Sequence, residues 1–255
     1  MTPQPPSPST RYDRRYILLV TSLLLCLAPV VSAADPVQPS PSDDRQHLES
    51  RLVEINAAIS QSPSARHHER AGILFRLGRF DEAIADYDTA ARHGAPHDDN
   101  SCWERGLAQY YAGQFREGAE QFARYHRVGA LDIENGLWRL ICIAHVDGLE
   151  KARATIFDYP RKLRPPFPAL LDRYLGTGSA EAVMEQAREN TASPEEAKHR
   201  LFYAHYYLGK YEEILGHPEK AREHFTQALA HPINHFMYAC AQIDARRHSA
   251  THPRD

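Results

Sequence analysis

The chain repeats its own pattern of side chains at a fixed interval. AGILFRLGRFDEAIADYDTAARHG, from Ala71, and RGLAQYYAGQFREGAEQFARYHRVG, from Arg105, share one order: small, aromatic, glycine, aromatic, small, aromatic. Phe80 and Phe115 are 35 residues apart, and the same interval separates Ala83 from Gly118 and Tyr87 from Phe122. Each unit breaks at a glycine into two halves whose apolar residues recur at helical spacing. Neither half can bury its stripe alone, so the units must stack on one another.

A degenerate third unit, LWRLICIAHVDGLEKARATIF, places Ala152 34 residues after Gly118. The clearest unit is the last, YYLGKYEEILGHPEKAREHFTQAL, with Gly209, Gly216, Ala221, Phe225 and Ala228, and Pro232 beyond. An interval near 34 residues is that of the tetratricopeptide repeat (TPR), and the expected fold is an all-α, TPR-like array of helical hairpins, an α-solenoid. Repeats are expected at about 65–95, 100–130, 132–158 and 195–232. Between the last two, Pro160, Pro165, Pro166 and Pro168 forbid a continuing helix, so residues 159–192 read as an insertion holding two short helices joined at GTG. Ser193-Pro194-Glu195-Glu196 restarts the array with an N-cap, a first-turn proline and a capping-box glutamate. LESRLVEINAAIS is expected to cap the array at its start, and INHFMYACAQIDARRH to form a terminal helix within 233–248, before a tail at 249–255.

The helical domain is expected over 44–248, after a disordered, proline-rich linker at 34–43 and an export signal at 1–33. Arg11, Arg14 and Arg15 precede the apolar YILLVTSLLLCLAPVV, and the small residues Val31, Ser32, Ala33 and Ala34 offer cleavage after Ala33. The alternative is an uncleaved N-terminal anchor, which would be the only membrane contact. Either way the remainder is expected to be periplasmic or otherwise extracytoplasmic. Cys26 follows three leucines rather than the small residues a lipidation signal requires. The other cysteines, Cys102, Cys142 and Cys240, are odd in number and imply no disulfide framework. A net charge of −3, with RKLR at Arg161–Arg164 as the one basic run, argues against nucleic acid as a partner.

Several strings, in order, resemble the NlpI-type family of bacterial envelope lipoproteins: RGLAQYY at Arg105, LW at Leu137, RYLGTGSAEAVM at Arg173, FYAHYYLGKYEEILG at Phe202 and INHFMYACAQI at Ile233. The likeness runs from about residue 66 to 245 and includes the interruption. It implies a helical, dimeric periplasmic adaptor that docks a tail-specific protease and cell-wall endopeptidases. The lipidated cysteine of that family has no acceptable counterpart here.

In such an array the first helix of each pair lines a concave groove. The alignment places His68, Phe75, Arg76, Trp103, Tyr110, Tyr111, Leu137 and His145 near that groove. Aromatic residues and arginine dominate binding hot spots, because they bury much area and keep a polar handle. These eight are the expected protein- or peptide-binding residues, with Trp103, Tyr110 and Tyr111 as apolar anchors and His68, Arg76 and His145 setting polar specificity. The alternative for Trp103, Tyr110 and Leu137 is packing between repeats.

No catalytic residue, cofactor or metal site is expected. The chain contains neither GxSxG nor HExxH. Among the 15 histidines, His67-His68-Glu69, His231 with His235, and Cys142 with His145 each lack a full ligand set. GTGS at Gly176–Ser179 reads as a helix cap or an anion-holding turn, and RKLRPPFP as a connection or a basic recognition loop. The leading expectation is an exported, non-catalytic adaptor. Its rivals are a structural homo-oligomer and a histidine-based metal-binding protein or enzyme.

Overall fold

A computed structural model describes residues 41–61, 63–93, 97–159 and 163–250. The export signal, most of the linker and most of the tail lie outside the described residues. Contacts divide the chain at Gln38/Pro39, and the fold described is that of the second unit. Among the described residues there are twelve helices and no strand.

The architecture is an array of antiparallel helix pairs. A leading helix, α1 (Pro41–Gln61), packs on α2 (Pro63–Arg76). It starts three residues inside the stretch that the sequence assigns to the linker. The pairs that follow are α2 with α3 (Phe80–Arg92), α4 (Trp103–Tyr111) with α5 (Phe115–His126), and α6 (Ile133–Asp147) with the short α7 (Leu149–Arg153). The interruption holds α8 (Phe167–Leu175) and α9 (Ala180–Arg188), both packed against the long α10 (Pro194–Ile214). α10 pairs with α11 (Pro218–Leu229), and α12 (Phe236–Ala250) ends the fold.

Two local rules build the pairs. Gly78, Gly113, Gly148 and Gly216 close the turns with φ between 75° and 86°, a conformation that only glycine adopts without strain. The first three recur at intervals of 35, so the turn marks even the degenerate third unit. The second rule sets how closely the helices approach. Ala71, Gly106 and Gly209 each precede by 16 residues a fully buried ring, Tyr87, Phe122 and Phe225. A Cβ at Gly106 would lie 2.8 Å from Phe122, and one at Gly209 only 2.6 Å from Phe225, so each ring fills the space of a missing side chain. α10 starts as its sequence predicts: the Ser193 hydroxyl accepts from the Glu196 amide at 3.1 Å, and the Glu196 carboxylate accepts from the Ala192 amide at 2.7 Å.

α12 does not continue the stack. It folds back across the first helices α2, α4 and α10, reaching residues more than a hundred positions earlier. Phe236 packs on Phe75 at 4.8 Å between ring centroids. Asp244, fully buried, accepts from the hydroxyls of Tyr111 at 2.7 Å and Tyr206 at 3.2 Å. The ammonium of Lys210, also fully buried, lies 3.2 and 3.3 Å from the two Asp244 oxygens and 2.6 Å from Glu213. Burial works against the charge on Lys210, but Asp244 and Glu213 outweigh it and hold its pKa above the ordinary lysine value. Burial also raises the pKa of Asp244, with Lys210 opposing. The ammonium further sits 4.4 Å from the Tyr110 ring centroid.

Candidate functional site

The eight residues picked out by the sequence divide into two groups. Phe75, Tyr110, Tyr111 and Leu137 are buried in the core. Phe75 is enclosed by Phe80, Tyr111 and Phe236 at 4.8–5.5 Å. Tyr110 meets Trp138 edge-on at 5.0 Å. Their placement on an open groove is therefore corrected: they lie on the first helices, but α12 covers Phe75 and Tyr111, while Tyr110 packs among Phe115, Trp138 and Lys210 and Leu137 is core of α6. Burial raises the pKa of both Tyr110 and Tyr111, so their hydroxyls stay protonated as structural donors.

The other four keep access to solvent: His68 and Trp103 are half-buried, and Arg76 and His145 are exposed. His145 stacks on Phe115 at 4.6 Å, with its Nε2 3.3 Å from the Tyr110 hydroxyl. Desolvation lowers its pKa, which keeps it neutral near pH 7. His68 turns toward the α3–α4 connection, where it meets His97.

Arg76 and Trp103 are brought together by residues the sequence reading passed over. The Arg76 guanidinium lies 5.3 Å from the centroid of the Phe236 ring, and Trp103 meets the same ring edge-on at 5.5 Å. Trp103 also lies parallel to His235, at 6.3 Å and 5°. Arg76 and Phe236 line a cleft of about 410 Å³ together with Ile233, Asn234, His235 and Gln242. His235 Nδ1 accepts from the Met237 amide at 3.3 Å and faces the Tyr203 hydroxyl at 3.4 Å, so the ring proton belongs on Nε2. Burial lowers the pKa of His235 and keeps the ring neutral.

The cleft therefore gathers a guanidinium, two carboxamides and an imidazole around the rings of Phe236 and Tyr238, beside an indole. Such a set binds acceptor-rich ligands: the guanidinium suits a carboxylate, the carboxamides pair with peptide groups, and the rings take an apolar side chain. Its volume lies at the small end for ligand sites, enough for a side chain or two with their peptide bonds. A second depression, between α9 and the α10–α11 pair, is larger at about 600 Å³ and is lined by Met184, Arg188, Leu208, His224 and the carboxylates of Glu181, Glu185 and Glu189. It includes none of the eight expected residues.

Among the described residues no cysteine is poised as a free thiolate. Cys102, Cys142 and Cys240 are free and buried, and burial raises all three pKa values, that of Cys102 to about 12. None of the described helices is long and apolar enough to cross a membrane.

No family model matches the chain. Among solved structures, the fold is similar to a tetratricopeptide repeat protein from Parabacteroides merdae, with 16% identity and a TM-score of 0.47 over 82% of this chain and 81% of that one. It is also similar to YrrB, described as a TPR protein with an unusual peptide-binding site, with 18% identity and a TM-score of 0.38 over 78% of this chain and 84% of that one. The described residues form an all-helical array of TPR-like hairpins, with the last helix folded back on the first helices of the pairs.

Proposed function

We propose that the protein is an exported, non-catalytic interaction scaffold that holds an extended segment of another envelope protein in the cleft between Arg76, Trp103 and α12. The carrying observation is the convergence there of Arg76, Asn234, His235 and Gln242 on an aromatic floor, beside the core residues that α12 covers. The partner class follows from that chemistry: a peptide with a carboxylate for Arg76 and an apolar side chain to lie along Trp103. The apolar segment at 1–33 supports export, and the likeness to NlpI-type lipoproteins supports an adaptor role toward a protease or cell-wall hydrolase.

A photo-crosslinking residue at Gln242 of the full-length chain tests this in the source cell. A discrete adduct with an envelope protein is expected, and it should be lost in the Arg76→Ala/Trp103→Ala variant while the circular dichroism spectrum of that variant is unchanged. Equal adducts in both proteins, or none in either, would refute the cleft as the binding surface.

A further inference from the structure

His68 on α2 and Cys102 and Glu104 at the start of α4 come together at one point between the first two repeats, and His97 of the α3–α4 connection stands beside Glu104, outside that close group of three. A ring nitrogen of His68, Cys102 Sγ and one Glu104 carboxylate oxygen lie within 4.8 Å of one another. His68 Nε2 is 3.4 Å and His97 Nε2 3.8 Å from the same atom, Glu104 Oε1. The cluster is enclosed: Cys102 is 1% exposed, and the side chains of Glu104 and His68 are 9% and 20% exposed.

Its hydrogen bonding is incomplete. His68 Nε2 and Glu104 Oε2 are buried polar atoms without a hydrogen-bond partner, since the 3.4 Å approach of His68 to Oε1 lacks hydrogen-bond geometry. Two such atoms, one of them on a buried carboxylate, facing a thiol and a second imidazole, make a shell of electron-pair donors with little inside it to donate to.

We propose that His68, His97, Cys102 and Glu104 bind one divalent transition-metal ion of the zinc class. Two imidazoles, a thiolate and a carboxylate are the ligand types such ions select, and four is the number a tetrahedral structural site requires. The thiolate and carboxylate together balance the charge of the ion, as a buried site needs. Metal–ligand bonds of about 2.0–2.3 Å set tetrahedral edges of about 3.3–3.8 Å, and the two His–Glu104 approaches already fall there. On binding, the Cys102 S–H bond breaks, its proton passes to solvent and the sulfur pair forms the bond to the metal, with no change of oxidation state. His97, whose side chain is 34% exposed, forms the wall through which the ion enters. The bound ion would tie α2 to α4 across the repeat boundary.

Cobalt(II) is the probe. Purified full-length protein with no polyhistidine tag, stripped by chelator, is titrated with cobalt(II) and read by absorbance, with elemental analysis of the zinc-loaded form. One equivalent of metal is expected, with a thiolate-to-cobalt charge-transfer band in the near ultraviolet and strong four-coordinate bands in the visible. Cys102→Ser should lose the charge-transfer band. His97→Ala, in an accessible connection and expected to fold, should weaken binding at least about tenfold, since even outer-shell changes act on that scale. Absence of the band from the wild type, an undiminished band in Cys102→Ser, or unchanged affinity in His97→Ala overturns the proposal, and either of the last two would place binding at other histidines.

Discussion

Replacement of Asp244 by alanine tests whether α12 is clamped over the first helices by the buried charge at its centre. Asp244 accepts from Tyr111, Tyr206 and Lys210, all buried. Without it Lys210 keeps Glu213 at 2.6 Å but loses its second counter-charge. Removing one partner of a buried ion pair costs about 3–5 kcal/mol. Retention of Glu213, and the 3.2 Å separation that lets the Tyr111 and Tyr206 hydroxyls bond each other, puts this case at the low end, about 3 kcal/mol. For a fold of this size each kcal/mol moves the melting temperature by about 2–4 °C, so a fall of about 6–12 °C is expected in a circular dichroism melt of full-length protein. The double variant Lys210→Met/Asp244→Leu should recover much of the loss, because exchanging a whole buried pair for apolar side chains is often neutral. A single variant melting within about 2 °C of wild type would refute the clamp.

Gly209→Ala should lower the urea midpoint by an amount equivalent to up to about 2 kcal/mol, the overpacking of Phe225, about 1–3 kcal/mol, being offset by the roughly 1 kcal/mol that alanine gains in a helix. A raised midpoint would show that the ring yields freely. Burial, with the charges of His224 and His231, lowers the pKa of His205 to about 4 from an ordinary 6.5. The unfolded chain then takes up this proton before the folded one does, so stability present above pH 6.5 is lost as pH falls toward 4. The melting-temperature advantage of wild type over His205→Gln should therefore shrink on acidification, and a constant difference would contradict the assignment. Arg105, buried, donates to Asp88 at 2.9 Å and Asp99 at 2.5 Å and bonds the buried Gln121. Arg105→Met should cost about 1–3 kcal/mol in denaturant unfolding, through loss of the charged bond to the buried Gln121, whose Oε1 keeps only Arg124 at 2.9 Å, while both aspartates can turn to water. A neutral result would mean that the Arg124 bond alone suffices for Gln121.

The repeats were legible because their determinants are local. A glycine turn every 35 residues and a small residue 16 positions before a ring both lie within one unit, and each writes a pattern that periodicity can find. The covering of the concave face was not legible. INHFMYACAQIDARRH reads as a helix, but nothing within it announces that Asp244 will meet Tyr111, 133 residues earlier. Lys210 was obscure for the same reason, since a lysine beside Glu212 and Glu213 has the appearance of a solvated face. The residues of the expected groove lie on the first helices α2, α4 and α6, and half of them are core: Phe75 and Tyr111 because the terminal helix takes the place that a ligand was expected to fill, Tyr110 and Leu137 because neighbouring helices pack on them. The His68–Cys102–Glu104 cluster escaped the search for short ligand spacings because His68 and Cys102 are 34 residues apart, about one repeat. In a stacked array, residues one period apart become neighbours, so metal spacings must be sought at the period as well as along a single helix.

The return of α12 also bears on how the chain acquires its structure. In an open solenoid each unit touches only the next, and a growing chain can settle one hairpin at a time. Here Phe75, Trp103 and Tyr111 are made early and enclosed late, by Phe236, Cys240 and Asp244. At about 5–20 residues per second, roughly 7–27 s separate the synthesis of Tyr111 from that of Asp244. For that interval the aromatic strip lacks its cover, joined over the last 34 residues by a lysine still missing Asp244, and final closure is a long-range event of the kind that slows folding. Whatever attends the nascent chain must shield this one face, and must let go when the last helix arrives.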